Sequence, residues 1–144
     1  MGEDKKIRDV MTKDPVTMPA DATLVEAAQA MRDRNIGDVI VLKSNSDTEP
    51  CGIVTDRDIV VKGVAAEHDP SDTPLEAVCS HELVSVAPDD PIKKAVDLMM
   101  QRSIRRLAVM EGRTPVGVVS LGDLAATEDP KSALGGISRE LPNN

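Results

Sequence analysis

The length, composition and charge of the chain limit the functions that are open to it. It has 144 residues, of which 40% are hydrophobic and 29% charged, as is ordinary for a globular protein. Phe, Tyr and Trp are absent, which disfavours recognition of unpaired bases by stacking. The formal net charge is −8, which disfavours binding to a nucleic-acid backbone or to an anionic membrane surface. We find no signal peptide at the N-terminus, no apolar run of the ~20 residues that span a bilayer, and only two cysteines. We therefore expect a cytoplasmic protein without a disulfide framework, with no nucleic-acid or membrane partner.

Apolar periodicity and turn signals predict the elements of the first half, after a lead-in over residues 1–9. Thr23 and Glu26 fit a capping box, and the apolar stripe Leu24, Ala27, Ala28 and Met31 follows at helical spacing. The predicted elements are a strand at 16–18, a helix from 24, a strand at 39–42, a strand at 51–55 and a helix from 56 to about 64.

The second half repeats this order. Val84 follows Val16 by 84 − 16 = 68 positions, and Gly117 follows Gly52 by 117 − 52 = 65. We interpret this as a tandem duplication in which two β-α-β-β-α repeats, an α/β (α+β) fold, pack with pseudo-twofold symmetry around a central cleft. The predicted boundaries are a first repeat at 8–66, a linker at 67–77, a second repeat at 78–127 and a C-terminal tail at 128–144.

Both repeats place a hydroxyl and a carboxylate where a buried strand runs into a helix. Thr55 precedes Asp58, and Ser120 precedes Asp123, by three residues. This spacing fits a helix cap, and alone it needs no further explanation. A helix start also attracts anions through its unpaired N–H groups. Because the hydroxyl and carboxylate pair occurs at both helix starts, we favour a ligand-binding role for it that coexists with the cap.

The duplicated motif resembles that of a CBS-domain pair, or Bateman module, over roughly residues 8–127, and the stretch Thr55 to Gly63 resembles small stand-alone bacterial members. The resemblance implies regulatory binding of an adenosine-containing ligand: AMP, ADP, ATP or S-adenosylmethionine. Asp58 and Asp123 would accept hydrogen bonds from ribose hydroxyls, and Thr55 and Ser120 would donate to phosphate or ribose oxygens. Further residues implied to line the slots are Thr12, Val16 and Ile36 in one copy and Ser80, Val84 and Ile104 in the other.

The two copies differ where phosphate would bind. Arg105 and Arg106 begin a strand of the second copy, and basic residues there contact phosphate in the family that it resembles. The first copy has Gly37 and Asp38 at that offset, although it has Arg57 at its helix start. We expect unequal sites. The two arginines could equally be a solvated strand edge, and neighbours on a regular strand point to opposite faces.

Cys79, Ser80 and His81 suggest a metal or thiol site, but zinc needs three or four ligands, and Cys51 and His68 lie in the other half of the sequence. We therefore predict no metal site.

The favoured function is a regulatory, adenosine-nucleotide-binding sensor, a homodimer without catalytic residues or a required cofactor. An alternative is a dimeric scaffold with vestigial pockets, which binds an unidentified protein partner through the tail. A nucleotide-processing enzyme ranks last, because the sequence has no acid/base cluster, Ser/His/Asp arrangement or phosphate loop.

Overall fold

The structure, a computed structural model, describes residues 5–80 and 83–126. In chain order its elements are α1 (Ile7–Val10), β1 (Thr12–Lys13), β2 (Thr17–Pro19), α2 (Leu24–Arg34), β3 (Asp38–Leu42), β4 (Pro50–Thr55), α3 (Asp56–Asp58), a π-helix that continues α3 (Ile59–Val64), a 3-10 turn (Leu75–Ala77), β5 (Ser85–Val86), α4 (Ile92–Arg102), β6 (Arg106–Glu111), β7 (Thr114–Ser120) and α5 (Leu121–Ala125).

These residues divide into two compact units, each built on a small sheet with helices. We call residues 15–80 with Leu83 the first unit, and residues 5–14 with 84–126 the second unit. The predicted α+β class is confirmed. The repeat boundaries given above describe the sequence and remain a prediction, and the predicted tail lies outside the described residues.

The first unit has a three-stranded sheet in the order β2-β3-β4, with β2 parallel and β4 antiparallel to β3. The predicted capping box starts α2, since Glu26 N–H donates to the Thr23 hydroxyl (3.2 Å) and Thr23 N–H to the Glu26 carboxylate (2.8 Å). Leu24 and Met31 of the predicted stripe are buried, whereas Ala28 is exposed. Helix α2 thus buries a narrower stripe than its sequence predicted.

The π-helix was predicted only as the end of an ordinary helix. At its inner side lies Gly63, where an added Cβ would come within 2.7 Å of Leu24 Cδ1. The absence of a side chain therefore lets this segment pack closely on α2. Val60, Val61 and Val64 remain exposed on the same segment.

The second unit has a four-stranded sheet in the order β1-β7-β6-β5, in which β1 and β6 flank β7 antiparallel and β5 is parallel to β6. Helix α1 belongs to it, because Ile7 is fully buried in its core and Ile7 N–H donates to the Asp90 carbonyl (3.0 Å). The lead-in prediction is wrong for residues 5–9, since one deeply buried isoleucine is enough to anchor so short a segment.

Each unit has its own apolar core. Val39, Val41 and Val54 centre the first, and Leu107, Val109 and Val119 centre the second. Within the described ranges, no helix is both long enough and apolar enough to cross a bilayer.

Candidate ligand sites at two strand–helix junctions

The junction of β4 and α3 holds Asp58 by a reciprocal capping box. Thr55 N–H donates to Asp58 Oδ2 (2.9 Å), and Asp58 N–H donates to the Thr55 hydroxyl (3.1 Å). The other carboxylate oxygen, Oδ1, lies 3.4 Å from Lys62 Nζ, and the Asp58 side chain is 21% exposed. The carboxylate is therefore fixed by the backbone yet reachable from solvent.

The junction of β7 and α5 repeats this geometry. Ser120 N–H donates to Asp123 Oδ2 (2.9 Å), and Asp123 N–H donates to the Ser120 hydroxyl (3.1 Å). The capping interpretation is thus confirmed at both junctions. A carboxylate has about four acceptor positions, and a hydroxyl that accepts one bond still has its proton to donate. Each cap therefore leaves acceptor and donor capacity for a ligand.

The residue opposite each hydroxyl differs in charge. In the strand register Asp38 lies opposite Thr55, whereas Arg106 lies opposite Ser120. All four residues are half-buried. The first junction thus carries a second acidic residue at the position where the second junction carries a cation.

Backbone donors at the first junction are already used. Asp56 N–H donates to the Gly37 carbonyl (3.0 Å), Arg57 N–H to the Asp56 carboxylate (2.8 Å) and Asp58 N–H to Thr55. The expectation of unpaired N–H groups is wrong there, because strand and side-chain acceptors bind all three.

At the second junction Leu121 N–H donates to the Arg105 carbonyl (2.8 Å), which sets Arg105 beside the start of α5. In the first copy the Asp56 carboxylate binds the N–H of Arg57, whereas the equivalent residue of the second copy is Leu121, which has no carboxylate to bind the N–H of Gly122. The second junction therefore favours an anion more than the first.

The slot-lining residues that the resemblance implied fall in both units. Val16 and Ile36 pack against the first core, and Val84 and Ile104 against the second, all partly exposed. Arg57 is exposed.

Thr12 and Ser80 do not stay with the copy to which the sequence assigned them. Thr12 pairs with Val118 of β7, in the unit of Ser120 and Asp123. Ser80 lies against β4, in the unit of Thr55 and Asp58: an added Cβ at Gly52 would lie 2.1 Å from the Ser80 carbonyl oxygen. The residues of each junction are therefore gathered from two distant parts of the chain.

The two glycines that mark the repeat in the sequence, Gly52 and Gly117, make these close approaches possible. A Cβ at Gly117 would meet the Thr12 carbonyl oxygen at 2.8 Å, as one at Gly52 would meet Ser80. A glycine inside a strand is a signal of close backbone approach, but it does not name the approaching segment.

Two further residues near the sites were not predicted to contact a ligand. The sequence signal for Asp38 is its offset of 106 − 38 = 68 positions from Arg106, the same as the repeat offset. The signal for Lys62 is its spacing of 62 − 58 = 4 residues from Asp58, which brings two side chains together on a helix. Among the described residues, no group of three or more His, Cys, Asp or Glu could hold a metal ion, and His81 lies outside them.

The family model of the CBS domain matches residues 7–63 and again 75–127. The chain belongs to the CBS-domain family. The resemblance inferred from the duplicated motif is thereby confirmed.

Among CBS relatives, the chain is 37% identical over 138 residues to the CBS domain-containing protein YhcV of Bacillus subtilis, covering 93% of this chain and 96% of that one. It is 31% identical to Hypoxic response protein 1 of Mycobacterium tuberculosis, covering 82% of this chain and 81% of that one. The crystal structure of Hypoxic Response Protein I with two coordinated zinc ions aligns with a TM-score of 0.73 at 29% identity, over 96% of this chain and all of the other.

A hexameric CBS-CP12 protein from bloom-forming cyanobacteria aligns with a TM-score of 0.78 at 28% identity, over 96% of this chain and 76% of that one. CBS pairs generally bind adenosine-containing ligands in regulatory roles.

Proposed function

We propose that this CBS pair is a regulatory module that binds an adenosine-containing ligand and has no catalytic activity or required cofactor of its own. The observation that carries the proposal is the duplicated capping box, in which Asp58 and Asp123 each have one carboxylate oxygen bound to the backbone. A carboxylate held in this way can accept hydrogen bonds from the two vicinal hydroxyls of a ribose without losing further side-chain entropy.

The remaining contacts follow from the residues around each box. Thr55 and Ser120 donate their hydroxyl protons to ribose or phosphate oxygens. At the second junction the adenine lies against the partly buried Val84 and Ile104, beside Thr12 of the same unit. At the first junction it lies against Val16 and Ile36, beside Ser80 of the same unit.

The charges of the two junctions support different ligands. Arg106 opposite Ser120, with Arg105 next to it, favours a phosphate, so we assign AMP, ADP or ATP to the second junction. Asp38 opposite Thr55 repels a phosphate, and the neighbouring N–H groups are occupied. The first junction therefore suits an adenosyl group without phosphate, as in S-adenosylmethionine.

Calorimetric titration with AMP, ADP, ATP and S-adenosylmethionine tests this function. We expect Asp123→Asn to weaken nucleotide binding by roughly 10- to 100-fold, because charge-assisted hydrogen bonds to the ribose are lost. The asparagine amide oxygen can still accept from Ser120 N–H, so the fold is retained. Asp97→Asn, which changes an exposed carboxylate paired with Lys93, is the matched control and should not alter binding.

Arg106→Ala separates the phosphate from the nucleoside. We expect it to weaken AMP binding but leave adenosine binding unchanged. The absence of heat with all four ligands, together with no 260 nm band from co-purified nucleotide in a protein that lacks aromatic residues, would refute the sensor function.

The alternative, a dimeric scaffold, is favoured by one observation. Val60, Val61 and Val64 are 58%, 46% and 56% exposed on the π-helix, and burial of such a face in a homodimer would remove it from water. We propose a cytoplasmic homodimer. The double variant Val60→Lys, Val64→Lys should be monomeric in analytical ultracentrifugation. If this variant remains a dimer and also binds no nucleotide, neither the scaffold nor the sensor function is supported.

A further inference from the structure

The two cysteines of the chain, which fall in different sequence repeats, lie together in the first unit. Cys51 is the second residue of β4 and is half-buried. Cys79 follows the 3-10 turn and is 5% exposed. Cys79 is part of the first apolar core and Cys51 packs against that core. Both sulfurs therefore belong to one packed site, although 79 − 51 = 28 positions separate them.

The backbone holds this contact from both sides. Cys79 N–H donates to the Leu75 carbonyl (2.9 Å), which fixes the end of the turn. An added Cβ at Gly52, the neighbour of Cys51, would lie 3.5 Å from Cys79 Sγ and 2.1 Å from the Ser80 carbonyl oxygen. Residues 79–80 thus run in direct contact with β4 beside Cys51. Two cysteines whose backbone segments run in contact are placed to form a disulfide without a large movement of the chain.

We propose that Cys51 and Cys79 form a reversible intramolecular disulfide when the protein is exposed to a peroxide. The Cys51 sulfur attacks one peroxide oxygen and breaks the O–O bond, which gives a Cys51 sulfenic acid and water. The Cys79 sulfur then attacks the sulfenic sulfur, and the hydroxide that leaves takes the Cys79 proton as a second water. Two thiols and one hydrogen peroxide thus yield one disulfide and two waters, with the sulfurs oxidised and the peroxide reduced.

The order of the two steps follows from exposure. Cys51 is reached by a small oxidant, whereas Cys79 is buried. Burial, together with the neighbouring Cys51, raises the pKa of the Cys79 thiol to about 11. Cys79 is therefore protonated at neutral pH, so the more exposed Cys51 is the attacking thiol and Cys79 is the resolving one.

The bond would fix the segment before Ser80 to the strand that ends in the first junction. Cys51 lies where the pairing of β4 with β3 shifts register, four residues before Thr55 at the end of that strand. Any effect of oxidation on ligand affinity rests on the proposed function, whereas formation of the disulfide does not.

The test treats the full chain with hydrogen peroxide and measures its intact mass without reductant. We expect a loss of two hydrogens, two alkylatable thiols before treatment and none after it, and a melting temperature higher by roughly 5–10 °C because the unfolded chain is cross-linked. Dithiothreitol should restore both thiols. Cys79→Ser should stop at a Cys51 sulfenic acid that dimedone traps, and Cys51→Ser should leave Cys79 unoxidised.

Three results would overturn the proposal. One is wild-type protein that gains oxygen atoms instead of losing hydrogens. Another is a disulfide-linked dimer whose yield rises with protein concentration. The third is Cys51→Ser protein that is oxidised as fast as the wild type. None of these readouts requires a nucleotide, so the disulfide and the ligand site fail independently.

Discussion

A single residue can serve both the fold and a ligand at these junctions, because a carboxylate has more acceptor positions than a helix cap uses. Asp58 and Asp123 each accept one backbone N–H through Oδ2. The cap and the ligand site are therefore not alternatives: the cap removes the rotational freedom that a ligand would otherwise have to restrict. A substitution of Asp58 or Asp123 should therefore have two effects that can be measured separately, one on the free energy of unfolding and one on ligand affinity.

Glycines offer a sharper test at this scale. Gly52→Ala should destabilise the protein by about 2–4 kcal/mol, because its Cβ would lie 2.1 Å from the Ser80 carbonyl oxygen, a backbone atom that cannot rotate away. Urea unfolding followed by far-UV circular dichroism measures this change. Gly122→Ala is the matched control: its nearest neighbour would be Ser120 Oγ at 3.7 Å, and alanine favours the helix. A Gly52→Ala protein as stable as the control would contradict the described path of residues 79–80.

At the scale of elements, the turn before α4 holds helix α1 in the second unit. Asp90 Oδ2 accepts from Ala87 N–H (2.8 Å) and lies 3.2 Å from Lys94 Nζ, while the Asp90 carbonyl accepts from Ile7 N–H. The Ala87 N–H, and then Lys94, hold the pKa of the Asp90 carboxyl below its ordinary value of 3.8 against an opposing effect of burial. The charged form of this residue therefore stabilises the fold.

The pH dependence of Asp90→Asn follows from that direction. Since the folded pKa lies below the unfolded one, the stabilisation is complete above pH 3.8 and is lost as the pH falls through the folded value. We expect Asp90→Asn to lower the free energy of unfolding by about 0.5–1 kcal/mol at pH 7, and the difference from wild type to shrink below about pH 4. Asp97→Asn, with its exposed partner Lys93, should change stability by less than about 0.5 kcal/mol. A difference that stays constant down to pH 3 would assign the effect to packing.

At the scale of the whole molecule, the two units do not coincide with the two sequence repeats. Residues 5–14 complete the second unit, and the turn at Leu75–Ala77 with residues 78–80 completes the first. Each unit thus takes residues that lie at the start of the other repeat or just before it, so residues far apart in sequence share a core.

Ile7→Ala tests this exchange. The side chain is fully buried in the second core, so its truncation should cost about 2–4 kcal/mol. Hydrogen exchange read by mass spectrometry should speed up in β6 and β7 more than in β3 and β4. Lys5→Ala, at an exposed position, is the control and should leave exchange unchanged. Faster exchange confined to the first unit would show that Ile7 belongs there.

The sequence alone determined the features whose interactions are local. The capping boxes of Thr23, Thr55 and Ser120 join residues three positions apart, and the strand and helix patterns repeat over similarly short distances. The duplication then identified the family, because the same local signals recur in the same order. Local spacing and periodicity need no knowledge of the rest of the fold.

Only the tertiary structure decided which segments share a unit. Gly117 signalled a close approach but not that Thr12 makes it, and nothing near Cys51 in the sequence indicates Cys79. Asp38 and Arg106 gained their meaning from the strand register that sets them opposite Thr55 and Ser120. These contacts depend on loop closure and on the burial of distant apolar residues, such as Ile7, whose energy no short window of sequence contains.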